Sequence, residues 1–272
     1  MITRILSAAV LVVVVFGTIL WLPSWATLTL GILAAAAGAV ELCGLARPFG
    51  VAVPSAPAMA MAAASTAAVA APVIWPASAD AGLVTLILMG ALLLAGVTSL
   101  AAMPPAGPSQ SVFTVVAVLL LATVYVGLPI GALVWIRAFC GPPSLVWLIA
   151  VIAISDTAQY YAGTFFGRRK LAPIVSPKKT VEGLLGGLVA GPVVGGALSV
   201  WGLEGAPAWE GAIFAFILVL FGVAGDLFES LLKRSAGVKD SSALIPGHGG
   251  VLDRVDAYLF AAPAFYLLAR FA

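Results

Sequence analysis

Charge is scarce in this sequence. Of its 272 residues only 9% are Asp, Glu, Lys or Arg, while 62% are hydrophobic. A soluble domain carries roughly a quarter charged residues and about half apolar ones. That scarcity excludes a soluble globular enzyme, a nucleic-acid-binding protein and a disordered scaffold, and it leaves a polytopic membrane protein. The 13 Lys and Arg nearly balance the 11 Asp and Glu, so net charge alone creates no polyanion-binding surface. Cysteine is nearly absent. Cys43 and Cys140 lie in or beside separate apolar stretches with no Cys-x-x-Cys spacing, and read as small apolar residues. Period-two alternation is missing and the apolar runs are about twice the length of a barrel strand, which argues against a membrane β-barrel. No repeat relates the two halves, which argues against a carrier built from inverted repeats.

What the sequence does have is apolar runs long enough for the hydrocarbon core, which takes about 20 helical residues to cross. Nine are expected: 2–22, 25–45, 56–75, 83–103, 112–138, 145–166, 183–203, 209–232 and 255–271. Pro- and Gly-rich punctuation separates them, as at Arg47-Pro48-Phe49-Gly50, Pro104-Pro105-Ala106-Gly107-Pro108 and Gly141-Pro142-Pro143. Pro129 and Gly131 should kink the fifth span, or end it early and restart it as a half-helix. Arg4, an apolar stretch and Ser24-Trp25-Ala26 resemble a signal peptide. The run is longer than a usual signal core, however, and a second span follows at once, so an uncleaved first helix is expected. The fold class is thus all-α, a polytopic helical bundle in the membrane.

The positive-inside rule orients that bundle. With a cytoplasmic N-terminus, eleven of the 13 basic residues lie on the cytoplasmic side: Arg4, Arg47, Arg168, Arg169, Lys170, Lys178, Lys179, Lys233, Arg234, Lys239 and Arg254. Only Arg137 and Arg270 fall outside.

The charges are unevenly spread. Eighteen of the 24 lie between Asp156 and Asp256, and the first 150 residues hold only Arg4, Glu41, Arg47, Asp80 and Arg137. The chain therefore divides into an apolar part, residues 1–140, and a chemically equipped part, residues 141–272. Three clusters stand out in the second. Asp156 lies inside the sixth span, and an intramembrane Asp is costly enough that it usually faces a polar interior. Satisfaction by a neighbouring helix is the plain alternative. Ser176-Pro177-Lys178-Lys179-Thr180-Val181-Glu182-Gly183 reads as the start of the seventh helix, with Ser176 as N-cap and Pro177 at the first position. Both lysines would then sit in its first turn, where an incoming anion offsets their unfavourable interaction with the helix dipole. Gly187, Gly191 and Gly195 further along suit close helix packing.

The third cluster is the densest. Asp226, Glu229, Ser230 and Lys233 fall on one helical face through offsets of three, four and seven. Arg234, Lys239, Asp240, Pro246-Gly247-His248-Gly249-Gly250 and Asp253-Arg254-Val255-Asp256 follow. Asp226, Asp253 and Asp256 are oxygen donors suited to a hard divalent cation. Cations and a glycine loop around them suit phosphate groups. Unpaired, carboxylates at a bilayer edge would cost on the order of 1–3 kcal/mol each, and salt bridges alone would not require a histidine, four glycines and a proline threaded between them.

Ser230-x-x-Lys233-Arg234, Lys239-Asp240, Pro246-Gly247-His248-Gly249-Gly250 and Asp253-Arg254-x-Asp256 form a 27-residue pattern that resembles the signature of the phosphatidate cytidylyltransferases, or CDP-diacylglycerol synthases. Gly225-Asp226, Asp156-Thr157 and the Ser-Pro-Lys-Lys-Thr-Val-Glu-Gly stretch also look like that family. The resemblance covers about residues 155–260. It implies an integral, commonly homodimeric enzyme of the bacterial inner membrane, with its site facing the cytoplasm. Such an enzyme condenses CTP with phosphatidate to give CDP-diacylglycerol and diphosphate; no nucleic acid is involved. It further implies Mg2+, with room for a second cation, held by Asp226 and Asp253 with Asp256 close by. Lys239 and His248 join these aspartates in the implied catalytic set, and Lys178, Lys179, Lys233, Arg234, Arg254, Asp156 and Ser230 in substrate binding. Many members carry Ser where this chain has Ala257, so that hydroxyl is absent. A CTP-dependent lipid kinase, attacked at the γ-phosphorus, and an ion-coupled carrier are the rival readings.

Overall fold

The computed structural model describes residues 2–74, 81–101 and 111–271; Asp80 and the Pro104–Pro108 punctuation lie outside them. The described chain is helical apart from one small hairpin and the loops, of which 236–251 is the longest. Its elements are α1 (Ile2–Trp21), α2 (Ser24–Ala46), α3 (Ser55–Ile74), α4 (Ala81–Ala101), α5 (Ser111–Leu121), α6 (Leu128–Phe139), α7 (Gly141–Phe166), β1 (Lys170–Ala172), β2 (Ser176–Thr180), α8 (Val181–Ala197), α9 (Ser199–Gly202), α10 (Ala208–Ser235), α11 (Leu252–Val255) and α12 (Tyr258–Phe271). Among the described residues four helical stretches are long and apolar enough to cross a membrane: Ser24–Phe49, Val112–Phe139, Gly141–Phe166 and Ala208–Ser235. Shorter apolar helices accompany them at Ile5–Trp21, Ser55–Ala71, Leu88–Ser99 and Val181–Ala197. Apolar side chains such as Val10, Val13, Leu93 and Val193 point outward, while Ser65, Thr66 and Glu41 are buried. That distribution suits a lipid solvent rather than water.

The chain forms two compact units, Met1–Trp135 with Ser235–Arg254, and Ile136–Arg234 with Val255–Ala272. In the first, Leu28, Ala70 and Val134 form a core cluster with Ile32 against it. The fifth span is continuous over Val112–Phe139 but irregular just before Pro129. A π-helical turn over Ala122–Gly127 joins α5 to α6, and the Leu128 N–H reaches back five residues to the Thr123 carbonyl. Pro129 has no N–H to donate and its ring would crowd the carbonyl four residues earlier, so the wider turn relieves the helix at that point. Hydroxyls from α3 approach carbonyls of the turn. Thr66 donates to Gly127 O at 2.9 Å, and Ser65, which donates to Ala62 O at 2.9 Å, lies 3.3 Å from Thr123 O. The Ala-rich character of α3 now has a cause, since small residues let its backbone come this close.

In the second unit, Trp147 is fully buried and donates its indole N–H to Gly195 O at 2.9 Å. Phe214 stacks on it at 5.6 Å and Phe265 meets it edge-on at 6.2 Å. The α8 glycines are packing residues, as expected. A side chain at Gly187 would strike Gln159 and Ser155 of α7, and at Gly191 or Gly195 it would strike Val219 or Ala215 of α10.

Three expectations about helix ends are corrected. Ser176 and Pro177 do not start a helix; Ser176–Thr180 is a strand paired antiparallel with Lys170–Ala172. Thr180 is the N-cap, extended at φ −125° and ψ 157°, and its hydroxyl accepts the Gly183 N–H at 3.1 Å. The acidic residue in the first turn, Glu182, then lies at the favourable end of the dipole, whereas the alternative start would have put two lysines there. The seventh span is interrupted after Ala197, where α9 follows as a separate turn. The last span is interrupted too, with Asp256 and Ala257 between α11 and α12.

The contact of α3 with the π-helical turn is tight enough to test. A Cβ at Gly127 would collide with the Ser65 hydroxyl and lie 2.6 Å from Ala62 O. Gly127→Ala is expected to lower stability by about 1–3 kcal/mol, read as a fall in unfolding midpoint in micelles. An unchanged midpoint would contradict the packing.

Candidate functional site

The hairpin changes what the two lysines do. Being on β2 rather than on a helix, Lys178 and Lys179 help to line a cavity of about 540 Å³ with Asp156, Gln159 and Tyr160 of α7, Lys170 of β1, and Asp226 of α10. Glycine makes the assembly possible: side chains at Gly163 or Gly167 would collide with Thr180, and one at Gly183 would lie 2.7 Å from Gln159 O. Lys179 Nζ is in direct contact with Asp226 Oδ2. Gln159 donates its amide to Asp156 Oδ1 at 3.1 Å, which orients that carboxylate. The wall thus combines three ammonium groups with two carboxylates in a volume suited to a small ligand.

Further along α10, Ser230 donates to Asp226 Oδ1 at 3.4 Å. Glu229 and Lys233, 0% and 9% exposed, form an ion pair at 3.1 Å. Arg234 Nε donates to Val175 O at 3.3 Å, tying the end of α10 to the hairpin loop. Gly225 brings α10 against the Asp256 backbone, since a Cβ there would lie 2.5 Å from Asp256 O. Asp156, Asp226 and Asp256 consequently feel one another's charge. Among the described residues, no three Asp, Glu, His or Cys side chains converge into an ion cage. A Mg2+-like cation needs only one or two carboxylates when substrate phosphates and water complete its shell. By donor type, Asp226 and Asp256 fit such an ion.

The Gly-His-Gly-Gly segment is in the first unit, and its conformation follows from its residues. Gly247 and Gly249 hold φ of 79° and 81°, the left-handed region that glycine enters freely. Ile245 N–H donates to Gly249 O at 2.8 Å and His248 N–H to Ile245 O at 2.9 Å, closing a tight turn. Asp253 Oδ2 accepts the Ser241 N–H, the Ser241 hydroxyl and the Gly250 N–H, each at 2.8 Å. Ser7 of α1 lies 3.0 Å from Pro246 O and 2.8 Å from His248 Nδ1. A carbonyl only accepts, so the Ser7 proton goes to it, and Nδ1 is then the ring nitrogen that donates to Ser7. Lys239 and Arg254 are exposed in this unit.

Of the expected site residues, Asp156, Lys178, Lys179 and Asp226 meet at the cavity, with Ser230 hydrogen-bonded to Asp226. Lys233 is drawn into its pair with Glu229. Sequence reasoning missed Lys170, Gln159 and Tyr160 as lining residues, and Ser7, Ser241 and Glu41 as loop partners. Glu41 had a visible signal. It is the lone acidic residue in the first 79, and it lies within an apolar span.

A family profile described as the cytidylyltransferase family matches residues 2–272. Among relatives, the chain is 47% identical over 140 residues to a phosphatidate cytidylyltransferase of Synechocystis, covering 51% of this chain and 43% of that protein. It is 38% identical over 152 residues to one of Helicobacter pylori, covering 56% of each. With one of Bacillus subtilis it shares 39% identity over 163 residues, covering 59% of this chain and 61% of the relative. The chain therefore spans about half the length of the curated relatives it matches.

Glu182 fastens the entry to the hairpin. Its Oε2 accepts the backbone N–H of Arg168 at 2.9 Å and of Arg169 at 3.1 Å. The Arg168 N–H foremost, with Glu182's own N–H and that of Arg169, holds this carboxyl below its usual range. A depressed carboxyl stabilises above its unfolded pKa of about 4.3, and the contribution fades as pH falls through the lower folded value. Backbone exchange over 168–180 should therefore accelerate, once corrected for intrinsic pH dependence, as the pH drops through that range. Glu182→Gln should exchange faster at neutral pH and show no such step. A step that persists in the variant would assign it elsewhere.

Proposed function

The chain belongs to the cytidylyltransferase family, and on that premise we propose that it condenses CTP with phosphatidate, giving CDP-diacylglycerol and diphosphate. The observation that supports this most directly is the cavity in which Lys170, Lys178 and Lys179 converge with Asp156 and Asp226. A site for a lipid phosphate alone would need cations. A site for a nucleotide triphosphate carried by a metal needs cations and carboxylates together.

In the proposed reaction an anionic phosphatidate oxygen attacks the α-phosphorus of CTP in line. An oxygen–phosphorus bond forms there, the bond to the β-phosphate bridging oxygen breaks, and diphosphate leaves with its electron pair. No protein nucleophile is required, so the residues act by alignment and charge neutralisation. Lys178 and Lys179 hold phosphate oxygens, and Lys179 exchanges its Asp226 contact for them when the nucleotide enters. Lys239, Arg234, Arg254 and His248 neutralise the diphosphate or the lipid phosphate, and Lys233 stays paired with Glu229 on α10. Asp226 and Asp256 would serve as oxygen donors to Mg2+, with Asp253 implied by the family pattern. A cation bound there supplies neutralisation of the triphosphate charge.

The same proposal places nine spans in a bacterial inner membrane, with the N-terminus and the phosphate-handling residues cytoplasmic and a homodimer as the working unit. The distribution of Lys and Arg along the chain supports the orientation; the inner membrane and the homodimer rest on the family resemblance.

Purified protein in micelles with labelled CTP, phosphatidate and Mg2+ is expected to form CDP-diacylglycerol and diphosphate. Asp226→Asn and Lys179→Met should each lower kcat by about 100-fold or more while the protein keeps its unfolding midpoint. Chelation should abolish turnover and Mg2+ should restore it. A phosphorylated lipid alcohol with CDP as co-product would replace this reading by a γ-phosphoryl transfer. Full activity in either variant would remove that residue from the site.

A further inference from the structure

Glu41 is the best-satisfied carboxylate of the first unit and lies on α2, in the apolar part of the chain. It is 5% exposed, and a buried carboxylate is tolerated only when hydrogen-bond donors replace the water it has lost. Three donors do so, and a fourth is shared. Oε1 accepts the Ser242 hydroxyl at 2.7 Å and the Val251 N–H at 2.9 Å. Oε2 accepts the Leu252 N–H at 2.8 Å and lies 3.0 Å from the Ser241 hydroxyl. All of them come from the two ends of one loop, just before and just after Pro246-Gly247-His248-Gly249-Gly250. One carboxylate therefore pins both ends together.

Two further features fit this role. A Cβ at Gly250 would lie 2.5 Å from both Glu41 oxygens, so the last glycine of the loop is required by the carboxylate packed against it. Ser241 joins the two acids: its hydroxyl is 3.0 Å from Glu41 and 2.8 Å from Asp253. A single hydroxyl proton serves one of them, and backbone N–H groups serve the other.

We infer that Glu41 is a positioning residue for nucleotidyl transfer, acting through the 241–252 loop to fix His248 and Asp253. This rests on the proposed function for its catalytic consequence, but not for its structural one. Its oxygens are engaged by the loop itself, so it acts through the loop. Negative charge matters here beyond size. A glutamine replaces one acceptor by an NH2 group that would face an N–H and a hydroxyl, and the backbone donor cannot turn away.

The test uses the full-length protein in micelles and two readouts. Glu41→Gln should reduce kcat for CDP-diacylglycerol formation about 10- to 100-fold, the range for loss of a supporting residue, with KM for CTP changed far less. Hydrogen exchange over 241–252 should quicken at least tenfold while α5 and α6 keep their protection. Ser242→Ala, which keeps the charge and removes one donor, should give a smaller change of the same kind and guards against a Gln variant that does not fold. Wild-type kcat with unchanged loop exchange in Glu41→Gln would overturn the inference. Exchange rising equally throughout the unit in both variants would also overturn it, since Glu41 would then be a general fold residue. If the wild-type protein makes no CDP-diacylglycerol, the proposed function fails, and loop exchange still decides whether Glu41 is the clamp.

Discussion

A carboxylate taken out of water has to be given hydrogen-bond donors, and the polar architecture of this chain is organised around that requirement. The donors differ in the two units. In the first, Glu41 and Asp253 take theirs almost entirely from one loop, as backbone N–H groups and serine hydroxyls. In the second, Asp226 and Glu229 are instead compensated by ammonium charge, in ion pairs with Lys179 and Lys233. The distinction has a chemical consequence. Backbone donors have no freedom to leave, so they fix a conformation. A lysine can be drawn off by a better anion, so Lys179–Asp226 at the cavity is a contact that a phosphate can open. The Lys233–Glu229 pair is buried, and desolvation makes breaking such a pair costly.

Glycine is the second condition for both arrangements. At Gly250 a carboxylate occupies the space of a side chain, and at Gly163, Gly167 and Gly183 the Thr180 cap and the α7 backbone do. These positions lie where a helix end or strand must come within a backbone's width of a polar group. Gly247 and Gly249 serve differently, supplying the positive φ of the turn that presents His248. The glycine-rich stretches are thus instructions for close approach and turn geometry, more than sources of looseness.

Much of this was legible in the sequence, because composition and charge placement are strong signals in an apolar chain. The helical membrane class, the irregularity near Pro129 and the packing role of Gly187, Gly191 and Gly195 were readable, whereas the membership of Asp156, Lys178, Lys179 and Asp226 in one site was implied only by the family resemblance. The hairpin was not. Ser-Pro followed by charged residues is a common helix start, and the sequence does not reveal that Lys170–Ala172 waits to pair with Ser176–Thr180. Thr180 was an equally good cap, and the dipole argument about the lysines, taken one step further, favours it. Glu41 escaped for a different reason. Its partners are about 200 residues away in sequence, and no local pattern reports a long-range acceptor. A lone charge in an otherwise uncharged run was the available clue.

The scarcity of charge therefore has a structural reading beyond membrane residence. In an apolar environment every charged group must be compensated, so each one retained carries information about its partner. Glu182 holds the hairpin entry, Glu41 the glycine loop, Glu229 its lysine on α10, and Asp253 the turn beside His248. Three of these, Glu182, Glu41 and Glu229, are thereby given to holding the framework. At the cavity wall the balance is different: Lys170 and Lys178 stand beside the Lys179–Asp226 pair and the amide-oriented Asp156. That is where cationic and anionic groups face a common open volume instead of a fixed backbone. It is an arrangement open to a charged ligand, and it follows from the same rule that gives Glu41, Glu182 and Glu229 their partners.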